Sequence, residues 1–191
     1  MWGDGEATCL TMECEKALSA GVTRAQLAEM MAHAFRISRA VPPAALPGLE
    51  AQCRDWAADA ARPLGDLPKA DMHAHMNGSL PPRWFDAHSP GAAIAPLRPA
   101  DKAAFQWRDL DHFREDYDTR GKAIKAAGLE SLPSQVEAVA EDCARHNVKV
   151  IELSVTPWGD HDAFFAFCAE GRRLARENHG VFVSFVVTAI R

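Results

Sequence analysis

Leu27, Met30, Met31, Ala34 and Phe35 recur at i, i+3, i+4, i+7 and i+8, the spacing that lines one face of an α-helix. Thr23 stands just before this run with Gln26 three residues on, a pairing in which each side chain satisfies a backbone N–H at a helix start. Val41-Pro42-Pro43 stops the pattern, because proline lacks a donor and restricts the residue before it. A second helix is expected with Leu49, Cys53, Trp56 and Ala60 on one face. Residues 1–62 therefore read as a helical N-terminal segment and 63–69 as a linker, with a change of pattern from residue 70 onward.

The stretches "VKVIELSVTP" and "VFVSFVVTAI" are β-branched and almost continuously apolar, as strands of a parallel sheet are when helices cover them. Between them, Asp162 to Asn178 predicts a helix with Phe164, Phe167, Cys168 and Leu174 inward, and Gly180 suits the turn that follows. Ser134 and Glu137 have the spacing of another capping pair, opening a helix whose Val136, Val139, Ala140 and Cys143 share a stripe. "KADMHAHM" is assigned as a strand by its context. The predicted class is α/β, with about three parallel strands joined by right-handed crossovers and helices on the outside of the sheet. His88 to Ala100 is the one long loop.

Composition narrows the function classes. A net charge of −5 and a pI near 5.9 argue against a nucleic-acid surface, which needs clustered Lys and Arg. No apolar run approaches the length of a membrane span, and no leader pattern opens the chain, so a soluble cytoplasmic protein is expected. Five scattered cysteines fit reduced thiols better than a disulfide framework, and the four residues between Cys9 and Cys14 do not make a redox pair.

The candidate chemistry lies in "LPKADMHAHMNGSL", residues 67–80. In an extended strand alternate side chains share a face, which puts Asp71, His73, His75 and Asn77 on one side and Met72, Ala74 and Met76 on the other. Two neighbouring imidazoles can each offer a nitrogen to one divalent cation such as zinc. The pair sits near the C-terminal end of a presumptive first strand, with Asn77-Gly78 expected as a tight turn, and α/β sites gather at that end. Of the other histidines, His33, His146 and His179 read as surface or helix-end residues, and only His161 falls near that end of the sheet.

This stretch resembles the opening signature of the adenosine deaminase family of metal-dependent amidohydrolases, in which Pro-Lys precedes an acidic residue and a His-x-His pair. "LDHFREDY", residues 110–117, is similar to the family's Leu-x-x-Phe segment. "VKVIELSVTP" resembles its second barrel strand ending in Ser/Thr-Pro, and "HGVFVSFVVTAIR" its third strand, which ends near an arginine. The likeness runs in order from Leu67 to Arg191. Two departures are visible: Asn77-Gly78 replaces the commoner Asp-Gly and looks more like adenosine deaminase-like proteins acting on N6-methylated AMP, and Ser154 stands where an arginine often follows Glu152.

The resemblance implies the N-terminal portion of a TIM-type (β/α)8 barrel, with zinc held in part by His73 and His75 and a purine nucleoside or nucleotide near Asn77 and Gly78. It implies release of an amine by zinc-activated water. The family's further ligands and its acid and base residues belong to later strands, so no catalytic acid or base is assigned in this chain. The expectation is an N-terminal part of a longer deaminase, a half-barrel completed by a partner chain or a second copy, or a non-catalytic purine-binding remnant. A PHP-type metal phosphoesterase, which also pairs Asp with His-x-His on a first strand, is the alternative enzyme class.

Overall fold

The computed structural model describes residues 6–91 and 109–188, and side chains within these except those of residues 6–9 and 12. The expected Arg191 at the end of the third strand, most of the 88–100 loop and the Cys9 side chain lie outside the described residues.

Three helices open the chain: α1 (Glu6–Ser19), α2 (Arg24–Ile37) and α3 (Leu46–Ala58). α1 was not expected as a separate helix, although its Leu10, Cys14 and Leu18 recur at i, i+4 and i+8 and pack inward. Thr23 and Gln26 form the predicted reciprocal cap, with Gln26 N–H donating to Thr23 Oγ1 at 3.2 Å and Thr23 N–H to Gln26 Oε1 at 2.9 Å. The buried stripe of α2 is Leu27, Ala28, Met31, Ala32 and Phe35, while Met30 is 57% exposed. The buried face is rotated from the expected stripe towards Ala28 and Ala32, small residues that lie beside Cys53 and Ala57 of α3, and this turns Met30 outward. α2 ends at Ile37, before the prolines, and α3 ends at Ala58, so Ala60 is exposed outside the helix rather than on its inner face.

The sheet is built from β1 (Lys69–His75), β2 (Val148–Val155) and β3 (Phe182–Val187), all parallel, in the order β1-β2-β3. Between β1 and β2 come α4 (Met76–Ser79), α5 (Pro82–His88), α6 (Leu110–Ala126) and α7 (Leu132–Arg145). α8 (His161–His179) links β2 to β3 and ends at Gly180, whose φ of 69° is the left-handed conformation glycine adopts without a Cβ clash. The strands and the βαβ unit are those read from the pattern.

α7 begins earlier than its expected cap. Pro133 occupies the first turn, and Ser134 lies inside the helix, donating to Ser131 O at 2.8 Å and accepting from Trp84 Nε1 at 3.1 Å. Glu137 instead accepts from Asn178 Nδ2 on α8. The predicted stripe of Val136, Val139, Ala140 and Cys143 is buried. Against it pack Phe164, Cys168 and Ala175 of α8, with Phe167 at its margin.

Two cores flank the sheet. One joins α5 to α8 with Ala74, Ile151, Leu153, Val155 and Val183. The other joins α1–α3 with Ala70, Val150 and Phe182 on the opposite face. One face of the sheet is thus covered by the N-terminal helices over the first half of the strands. The stretch read as a linker contains a 3-10 turn (Leu64–Asp66) and then Leu67, which is fully buried in that second core.

Among the described residues, no helix is long and apolar enough to cross a membrane. Burial pushes the Cys53 and Cys168 thiols up to about 11. Both then hold their protons in the folded chain above the pH at which the unfolded chain gives them up. Their contribution to stability is complete below about pH 8.5 and is lost as pH rises towards 11, at about 1.4 kcal/mol per pH unit for each group. The urea midpoint is therefore expected to fall between pH 9 and 11, and to fall less steeply in the Cys53→Ala/Cys168→Ala variant. An equal fall in that variant would show that other groups control the alkaline limb.

Candidate functional site

β1 leaves the sheet floor at Lys69, which has no solvent exposure. Its Nζ donates to three carbonyls: Gly65 O at 3.0 Å, Leu67 O at 2.9 Å and His146 O at 2.9 Å. Burial lowers this ammonium to about 8, and the nearby Cys14 and Asp66 oppose the shift. The Lys of the signature is thus an anchor for the start of the strand.

Two residues further, the strand departs from simple alternation. Asp71 Oδ1 accepts the His73 N–H at 3.1 Å, an Asx turn that withdraws this donor from the ladder. The register against β2 slips between Asp71 and Ala74 accordingly. Met72 consequently packs with Ala70 towards α1–α3, whereas Ala74 and Met76 are buried on the α7–α8 side. The expectation that Met72, Ala74 and Met76 share a face is overturned by this bulge. Burial raises the Asp71 pKa, partly offset by the His73 N–H and the His73 side chain.

His73 and His75 are both exposed, with ring centroids 5.1 Å apart and planes at 84°. Neither imidazole has a hydrogen-bond partner among the described residues. His75 is in register with Ser154, and Ser154 Oγ lies 2.8 Å from Thr188 Oγ1 just beyond β3. The C-terminal ends of the three strands therefore present two imidazoles and two hydroxyls in one row. Thr188 was not singled out from sequence, because no motif marks it; only the strand register brings it there.

Asn77 and Gly78 do not form a tight turn. The chain enters α4 directly after His75, Ser79 Oγ donates to His75 O at 2.9 Å, and Gly78 is buried. Alternation ends where the helix begins, so Asn77 aims at α6: a Cβ at Gly121 would stand 3.3 Å from its Nδ2. Glu152 lies one step below Ser154 on the face of the N-terminal helices and accepts from Ser38 Oγ at 3.4 Å. His161 opens α8 as an exposed residue, and His146 and His179 occupy helix ends as expected.

The fit to a metal is partial. Two neutral imidazoles are good donors for zinc, but among the described residues no group of three or more His, Cys, Asp or Glu side chains could hold an ion. The arrangement supplies two ligands and leaves the rest of a coordination shell to other groups.

No family model and no solved structure matched the chain. Among characterised proteins it is 28% identical over 133 residues to an adenine deaminase of Rhizobium leguminosarum bv. trifolii, an alignment covering 65% of this chain and 40% of that protein. An adenine deaminase of Agrobacterium fabrum is 28% identical over 131 residues with the same coverage. An aminodeoxyfutalosine deaminase of Streptomyces coelicolor is 29% identical over 131 residues, covering 61% of this chain and 32% of that protein. The chain thus spans well under half the length of these relatives, and its low-identity similarity is to deaminases, hydrolases acting on C–N bonds.

Proposed function

We propose that this chain carries the first-strand part of the metal centre of a deaminase-type hydrolase, with His73 and His75 as two ligands to zinc. The observation that carries the reading is the exposed pair of imidazoles, without a hydrogen bond among the described residues, at the C-terminal end of a parallel strand. The likeness to adenine and aminodeoxyfutalosine deaminases supports an aminopurine-bearing substrate. In this reading β1, β2 and β3 are the first strands of a (β/α)8 barrel, and the remaining ligands come from further strands or a partner chain.

Zinc, when bound, lowers the pKa of a coordinated water towards neutrality and so supplies a hydroxide nucleophile for the amine-bearing carbon. The chain's own residues fix where the ligands stand. Ala74 and Met76 clamp the strand into the core, the Asp71 carboxylate holds the His73 backbone, and the Ser79 hydroxyl holds the His75 carbonyl.

Zinc titration of the full chain and of His73→Ala/His75→Ala tests this. One zinc per chain is expected, bound at least about tenfold more weakly in the double variant. Both histidines are exposed, so the variant should keep its stability within about 0.5 kcal/mol. Equal affinity in the two proteins would refute the assignment. Binding of adenine that is indifferent to a chelator and releases no ammonia would favour a purine-binding remnant.

A further inference from the structure

The two faces of the sheet differ in chemistry. Ile151, Leu153, Val155 and Val183 face α7 and α8 in an apolar core. On the other face Val150 and Phe182 are buried against α1–α3, and towards the C-terminal ends the polar residues collect: Glu152 beside Ser184, then Ser154 beside Thr188. The Ser184 hydroxyl is buried and has no hydrogen-bond partner among the described residues. Strands that are otherwise apolar carry such groups at little cost only where water or a ligand meets them. Val186, between Ser184 and Thr188 on this face, is 50% exposed and offers an apolar surface to a planar ring.

The hydroxyl pair stands in line with the histidines. His75 is in register with Ser154, and Ser154 Oγ lies 2.8 Å from Thr188 Oγ1 on the next strand. With strands about 4.8 Å apart, the pair lies about 5–10 Å across the sheet from His75, the reach of a bicyclic purine. One hydroxyl donates to the other, so the pair keeps one O–H and several lone pairs side by side, and either member can take either role. Its complement is an edge that carries an acceptor beside a donor. Free adenine has that edge in N3 and N9–H, opposite its amine, and a substituent on N9 removes the donor. In the barrel reading, strands beyond β3 lengthen the sheet sideways and leave this face turned towards the mouth.

We propose that Ser154 and Thr188 are specificity residues that hold a free aminopurine base by its N3/N9–H edge, with Val186 against the ring and the amine-bearing carbon turned towards zinc on His73 and His75. The inference rests on the metal reading above and adds to it a preference for the free base over its nucleoside.

Calorimetric titration of the zinc-loaded full chain and of Ser154→Ala/Thr188→Val with adenine, 9-methyladenine and adenosine tests the proposal. Adenine is expected to bind saturably, with Kd raised about tenfold in the variant. 9-Methyladenine lacks the N9–H donor, so it should bind the parent more weakly than adenine does and lose less on substitution. Both positions lie outside the two cores, so zinc stoichiometry and melting temperature should match the parent. A parent that takes up no zinc would overturn the metal reading and this inference with it. Normal zinc uptake with no saturable adenine binding, or with equal adenine affinity in parent and variant, would overturn this inference alone. So would adenosine binding the parent more tightly than adenine and losing that advantage in the variant, which would place a ribose diol on the hydroxyl pair.

Discussion

Replacing Lys69 with methionine is expected to destabilise the protein by about 3 kcal/mol, a fall of roughly 6–12 °C in melting temperature for a chain of this size. Methionine fills a similar volume, so the loss comes from the carbonyls of Gly65, Leu67 and His146, which lose their donor, that of Leu67 in a buried and the other two in a part-buried setting. Each unsatisfied group costs about 1–3 kcal/mol, against which the relief of burying an ammonium is the smaller effect. The pH dependence supplies a second signature. Because burial lowers Lys69 to about 8, the unfolded chain binds more protons than the folded one between that pH and the ordinary lysine value near 10.5. This group's contribution therefore rises with pH across that window and is lost as pH falls through 8, opposing the cysteine effect. Denaturant melts from pH 7 to 10.5 should show the rising component in the parent and not in the variant. A variant as stable as the parent at pH 7 would mean that the carbonyls find water and that Lys69 anchors nothing.

Gly171→Ala is expected to cost about 1–3 kcal/mol, although alanine is the better helix former by about 1 kcal/mol. The added Cβ would stand 2.7 Å from Val136 Cβ and 2.8 Å from its Cγ2. Val136 Cβ is fixed to the α7 backbone, so the clash is relieved only by moving one helix away from the other. Thermal melts should show a fall of roughly 2–12 °C. Shortening the partner in Gly171→Ala/Val136→Ala should cost less than the sum of the two single changes, the signature of direct coupling. Additive losses would show that the two helices do not meet at this pair.

Much of this could be read from the residues, and the failures have identifiable causes. The βαβ unit was legible because β2 is buried along most of its length and β3 at its start, so both strands carry β-branched, almost continuously apolar runs. The Thr23 cap was legible because both members of its pair are present and no proline intervenes. At α7, by contrast, Pro133 admits an earlier start, so Ser134 and Glu137 have the right spacing but the wrong place. The position of Met72 was illegible because alternation assumes an unbroken ladder, and one carboxylate, that of Asp71, breaks it. The histidine pair stays adjacent although His73 lies within that break, with the two ring centroids 5.1 Å apart. The covering of the sheet by α1–α3 leaves no periodic mark, since an amphipathic helix shows which face is buried but not against what.

The separations along the chain that close the base of β1 are long. The Lys69 ammonium reaches a carbonyl 77 positions away and the Asn147 amide one 81 positions away, while the hydroxyl pair joining β2 to β3 spans 34. Loop-closure entropy and contact order favour the shorter connection, so α7, β2, α8 and β3 are expected to condense first and β1 to dock on them later, an order that pulse-labelling hydrogen exchange would read. On a ribosome elongating at about 5–20 residues per second, His75 is made roughly 4–16 seconds before its register partner Ser154. During that interval the two imidazoles sit on a nascent chain whose neighbouring strand has not yet been synthesised, and any cation they meet there meets them unconstrained.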